Sequence, residues 1–79
     1  MKVQDVVTIS PDIQFGTPVF KGTRVPVVSL FLHLEKGISI EQFLVSFPTV
    51  TKDQCEAALA IAEKIFSSGK LDELYEIAS

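Results

Sequence analysis

The spacing of hydrophobic positions changes near Arg24, and that change divides the chain into an extended N-terminal part and a helical remainder. Val6-Val7-Thr8-Ile9 is a β-branched run closed by Ser10-Pro11-Asp12, and Pro18-Val19-Phe20 is a second short run closed by Lys21-Gly22. These predict two short strands. Pro18 has no N–H to give to a ladder, which places the second strand at a sheet edge. Two strands of this length do not make an independent sheet, so they need a helical layer or the strands of another subunit.

After Arg24 the apolar positions recur at helical spacing. Pro26 suits a first turn, where its missing N–H is no loss. From Val27 to Lys36, Val28, Phe31, Leu32 and Glu35 fall on one side and Val27, Leu30 and Leu34 on the other. A helix apolar nearly all round implies contact on two faces. Gly37 closes it as a left-handed cap. Ser39 with Gln42, and Thr51 with Gln54, are capping-box pairs that open two further helices. The inward stripe of the second is Ile40, Phe43, Leu44 and Phe47, ended by Pro48. The third runs to about Ser67 with Cys55, Ala58, Leu59, Ala62, Ile65 and Phe66 inward, and Gly69 ends it. Leu71, Leu74 and Ile77 or Ala78 mark a short amphipathic tail helix over 70–78, with Asp72, Glu73 and Glu76 outward.

The expected architecture is mainly α: a three-helix, helix-turn-helix bundle over 25–68, preceded by two short β-strands and a loop over 1–24 and followed by the tail helix. At 79 residues this is a single domain over 1–79, and 47% hydrophobic with 22% charged residues is a globular composition. A chain this small with one cysteine has no disulfide framework, which makes a partner chain a plausible stabiliser. No apolar run approaches the length of a membrane span and the N-terminus lacks a signal pattern, so a cytoplasmic protein is expected, with no membrane partner.

Seven basic against ten acidic residues leave a net charge of −3. Phosphate neutralisation supplies most nucleic-acid affinity, so this balance opposes DNA binding unless a local basic patch compensates. In a helix-turn-helix the third helix would read the major groove. Its first turns carry Lys52, Asp53, Gln54 and Glu56, and the two carboxylates have the wrong sign for phosphate. Gln54 can pair with adenine, although the capping box already accounts for it. The candidate DNA contacts are therefore Lys21, Arg24, Lys52 and Gln54.

The most densely punctuated segment runs from Gly16 to Pro26, and Gly16, Pro18, Lys21, Gly22, Thr23, Arg24 and Pro26 form its signature loop. Arg24 is the only arginine and forms a tight basic pair with Lys21. Two readings stand: the guanidinium fork clamps a phosphate or carboxylate, or it pairs with a nearby carboxylate or helix-end carbonyls and pins the strands to the helices. Neither a Walker pattern nor a dinucleotide fingerprint is present. His33 sits in the apolar first helix with no acid or nucleophile near it in sequence, and Cys55 lies on an inward stripe where it acts as a small hydrophobe. One histidine and one cysteine do not furnish a zinc site. The expectation is a non-enzyme with no catalytic residues, metal or cofactor.

Pro18-Val19-Phe20-Lys21-Gly22-Thr23-Arg24-Val25-Pro26-Val27 closely resembles the signature of the prokaryotic family called domain of unknown function 433. The likeness continues through Gly37-Ile38-Ser39-Ile40-Glu41-Gln42 and Phe47-Pro48-Thr49-Val50-Thr51 to Ala57-Ala58-Leu59 and Ala62. The sequence departs from the pattern at Phe15, where glycine is expected, and at Thr17, where Lys or Arg is expected; the second departure weakens an anion-site reading of the loop. The resemblance implies a homeodomain-like three-helix domain. It also implies an antitoxin role, similar to VapB-type proteins, that silences a PIN-like toxin nuclease and represses the shared operon. An acidic chain with an amphipathic tail fits part of this, with Leu71, Leu74 and Tyr75 as partner anchors. The alternatives are a stand-alone helix-turn-helix DNA-binding regulator and a structural homodimer, the dimer forming through the edge left by Val6–Ile9.

Overall fold

In a computed structural model, residues 2–68 are described. They form two short strands, β1 (Val7–Thr8) and β2 (Val19–Phe20), followed by three helices, α1 (Val28–Glu35), α2 (Ile40–Ser46) and α3 (Lys52–Ser67). Short 3₁₀ turns at Val3–Asp5 and Gln14–Gly16 precede the strands in turn. The fold is thus mainly helical, three helices behind a small antiparallel ribbon. The expected tail helix over 70–78 lies outside the described residues.

The ribbon pairs Val7 with Phe20 and Thr8 with Val19. Continuing that register sets Ile9 opposite Pro18, which has no N–H to donate, so the ladder stops at Thr8 and Ile9 is exposed. Contrary to expectation, Pro18 does not leave β2 at an edge. It stands just before the strand, and its carbonyl accepts a hydrogen bond from the Val27 N–H at 3.0 Å. The Phe20 N–H donates to the Val25 carbonyl at 2.9 Å, and Val19 bridges Pro26. β2 is therefore held between β1 and the 25–27 segment, which explains why Val19 and Phe20 are both fully buried.

Both capping boxes form. In α2 the Gln42 N–H donates to Ser39 Oγ at 3.2 Å and the Ser39 N–H to Gln42 Oε1 at 3.2 Å. In α3 the Gln54 N–H donates to Thr51 Oγ1 at 3.1 Å and the Thr51 N–H to Gln54 Oε1 at 3.0 Å. Each satisfies two N–H groups that the helix itself leaves unpaired. Gly37 adopts φ +80°, the left-handed value that ends α1.

The core joins Phe20 of β2 to Leu30 of α1, Phe43 of α2, Val50, and Cys55 and Ala58 of α3. Phe43 is its aromatic centre, with ring centroids 6.4 Å from Phe20 and 4.8 Å from Phe47. Two parts of the expected core are corrected. Phe66 is exposed rather than inward and Ile65 is only partly covered, because α3 has 16 residues against eight in α1 and seven in α2, and its last turns outrun the helices that cover its start. Ala57 is buried instead, beside a crevice shared with Asp5 and Val6 of the N-terminal segment. α1 is covered on one face only: Leu30 is buried, while Val28 and Leu32 stay half exposed.

Candidate functional site

The signature loop is built mainly by its backbone. The Thr23 N–H donates to the Phe20 carbonyl at 3.0 Å, closing a four-residue turn in which Gly22 takes φ +79°. That angle is left-handed, and a residue with a Cβ would be strained there. The Thr23 hydroxyl donates to the same carbonyl at 2.8 Å and accepts from the Val25 N–H at 3.0 Å, stapling the turn to the 25–27 segment. Lys21 donates its N–H to the Val6 carbonyl at 2.7 Å. Its own carbonyl accepts from Gln54 Nε2 at 3.0 Å, which ties the loop to the start of α3. Pro18 and Pro26 complete the frame through the bonds described above.

Against that frame Arg24 stands apart. Its side chain is exposed and forms no hydrogen bond or ion pair among the described residues. Among the described residues no carboxylate or helix-end carbonyl pairs with Arg24, and the tie between loop and helices comes from Gln54. A neutral amide can donate and accept at once, so Gln54 serves Thr51 and Lys21 together. Arg24 lines a cavity of about 500 Å³ with Thr8, Ile13, Val25 and Thr49. The other candidate DNA contacts do not converge there. Lys52 is exposed in the first turn of α3, beside exposed Asp53 and Glu56, and Gln54 spends both ends of its amide on Thr51 and Lys21.

A second feature lies on the other side of the ribbon. Adjacent strand residues point to opposite faces, and whereas Thr8 lines the Arg24 cavity, Val7 lines a groove of about 150 Å³ with Val27, Phe31, Ala58, Ile61 and Ile65. Every described side chain lining this groove is apolar. Val28 and Leu32 on α1 and Phe66 on α3 extend the exposed apolar surface of the same helices. Reading the sequence missed this surface because the stripe of α3 and the all-round apolarity of α1 both suggested burial.

His33 packs in the core's aromatic cluster. Nδ1 lies 2.6 Å from the Ser29 carbonyl, and the ring meets Phe43 and Phe47 edge-on with centroids 5.2 and 5.6 Å away. Cys55 is buried, and burial first and the neighbouring Glu56 charge second push its thiol above its ordinary pKa, away from the reactive thiolate. Among the described residues no three His, Cys, Asp or Glu side chains gather as metal ligands would, and no helix is long and apolar enough to cross a membrane. Leu71, Leu74 and Tyr75 lie outside the described residues.

Residues 7–62 match the family model described as protein of unknown function, DUF433. The chain belongs to the DUF433 family. A curated relative, the uncharacterized protein y4eO of Sinorhizobium fredii, is 40% identical over 60 residues, 76% of this chain. The match spans 27% of that relative's length. Among solved structures, the crystal structure of a DUF433 member protein from Anabaena variabilis superposes with a TM-score of 0.67 at 26% identity, over 98% of this chain and 72% of that one. The DUF433 match begins at Val7, the first residue of β1, and takes in the whole signature loop and most of α3. The Arg24 cavity is therefore built from the matched part of the chain, and so is the apolar groove except for Ile65.

Proposed function

We propose that this DUF433 chain is a protein-binding module of the antitoxin type, which covers a basic partner protein, a PIN-like toxin nuclease, and so silences it. The observation that carries the reading is the open apolar surface of α1 and α3: half-exposed Val28 and Leu32, partly covered Ile65, exposed Phe66, and the groove between the helices. Apolar surface of this kind on a small protein marks an interaction site when it is rimmed by polar groups. Glu35 falls on the same side of α1 as Val28 and Leu32, and Glu63 lies one turn from Phe66 on α3, with Lys64 beside Ile61. The rim is polar and mixed in sign, and the net charge of −3 favours a basic partner surface. The antitoxin role itself rests on the resemblance of the signature segment.

DNA reading by α3 is the weaker alternative, because the opening turn presents Asp53 and Glu56 and its amide is already engaged. Co-expression with the product of the adjacent reading frame, followed by purification and mass determination, tests the proposal. A stable complex and relief of the neighbour's toxicity are expected, and both should be lost in Leu32→Glu and Phe66→Glu, whose parent side chains are exposed enough to leave folding intact. A homodimer that excludes the neighbour would favour the structural-dimer reading instead.

A further inference from the structure

The geometry of the Arg24 cavity points to a second, separate binding site, and we propose that it takes a phosphomonoester: a phosphate group held by Arg24 with its organic body against Ile13 and Val25. Three observations lead there. First, no described residue uses the side chain of Arg24 to hold the fold. Around it, Gly22 supplies the left-handed turn, Thr23 staples it, and Gln54 fastens the loop to α3, while the guanidinium makes no bond among the described residues. Second, Arg24 is the only charged residue lining the cavity among the described residues, and it is cationic on a chain whose net charge is −3. An anion is drawn to this wall and repelled by most of the remaining surface.

Third, the polar side chains come from separate parts of the chain. Thr8 belongs to β1, Arg24 to the loop and Thr49 to the turn between α2 and α3. The Thr23 hydroxyl is already committed to Phe20 and Val25, whereas Thr8 and Thr49 make no side-chain hydrogen bond among the described residues. A guanidinium fork with hydroxyls on other walls suits the tetrahedral oxygens of a phosphate better than a planar carboxylate. The depression is open to solvent, which leaves room beside Arg24 for the organic body of a phosphomonoester.

The site faces away from the apolar groove and does not depend on the protein-binding reading. The test is a ¹⁵N-edited NMR titration of the full chain with adenosine 5′-monophosphate, inorganic phosphate and adenosine. Saturable shifts centred on the amides of Thr8, Gly22 to Val25 and Thr49 are expected with the nucleotide, weaker ones with inorganic phosphate, and none with adenosine. Arg24→Gln should weaken nucleotide binding by about ten-fold or more, the loss of a charge-assisted pair, and Thr49→Val by a few-fold. Lys21→Gln, which alters charge beside the cavity but not its lining, should leave binding within about two-fold, as for a rim charge. Equal binding of adenosine, shifts spread evenly over the lysine-bearing surface, or an unaltered affinity in Arg24→Gln would each overturn the proposal.

Discussion

The side-chain amide of Gln54 donates to the backbone carbonyl of Lys21 at 3.0 Å, joining two residues 33 positions apart. The same amide accepts the Thr51 N–H at 3.0 Å, so one side chain both caps α3 and holds the signature loop against it.

Two substitutions separate the roles of Gln54. Gln54→Ala keeps the backbone bond to Thr51 Oγ1 but removes the reciprocal half of the capping box and the tie together, and should cost about 1–3 kcal/mol. Gln54→Glu keeps an acceptor for the Thr51 N–H but has no donor for Lys21, and should cost about 1 kcal/mol while leaving helix content unchanged. Urea denaturation measures the stabilities and circular dichroism the helicity; equal losses in the two variants would show that the tie, not the cap, dominates.

Phe15 is fully exposed and has φ 56°, a left-handed conformation that is costly for an aromatic residue. Glycine at this position relieves the strain, against some added entropy of the unfolded chain. Phe15→Gly should therefore stabilise the fold by about 0.5–1 kcal/mol in thermal or urea melts. A loss of stability would mean that the phenyl ring makes a contact in solution.

Phe43 has no exposed surface and touches Phe20, His33 and Phe47. Phe43→Ala should cost about 3–5 kcal/mol, which for a domain of this size removes most or all of its stability. Dispersed methyl and amide signals in the NMR spectrum of the variant would contradict this.

Burial raises the Cys55 pKa above its usual value of 9.0 in the folded chain. The folded state then holds the thiol proton more tightly than the unfolded state does. This contribution is fully present below the ordinary thiol pKa and is lost as the pH rises past it. Melting temperature should thus fall more steeply above about pH 9 in the parent than in Cys55→Ala. At neutral pH, a thiol reagent such as dithionitrobenzoate should react slowly with the native protein and quickly once it is unfolded.

The helix boundaries around Ser39–Gln42 and Thr51–Gln54, the stop at Gly37 and the turn at Gly22 were legible in the sequence. Each depends on residues no more than a few positions apart, and so does its chemistry. The two strands were legible as short β-branched runs, but their neighbours were not. Whether Pro18 marks an edge depends on what lies across from it, and the chain brings the 25–27 segment to that side.

The same distinction runs through the candidate sites. Sequence singled out Arg24 by its rarity and by the glycines and prolines around it, but left open whether it serves the fold or a ligand. Only the tertiary structure hands the structural task to Gln54 and sets Arg24 in a cavity with Thr8 and Thr49, because those contacts require segments far apart in the chain to meet. Likewise, apolar periodicity located the stripes of α1 and α3, but exposure of Val28, Leu32 and Phe66 depends on how far the neighbouring elements extend. Local pattern determined which residues are helical, capped or turning; the path of the whole chain decided which of them are covered and which are left for a partner.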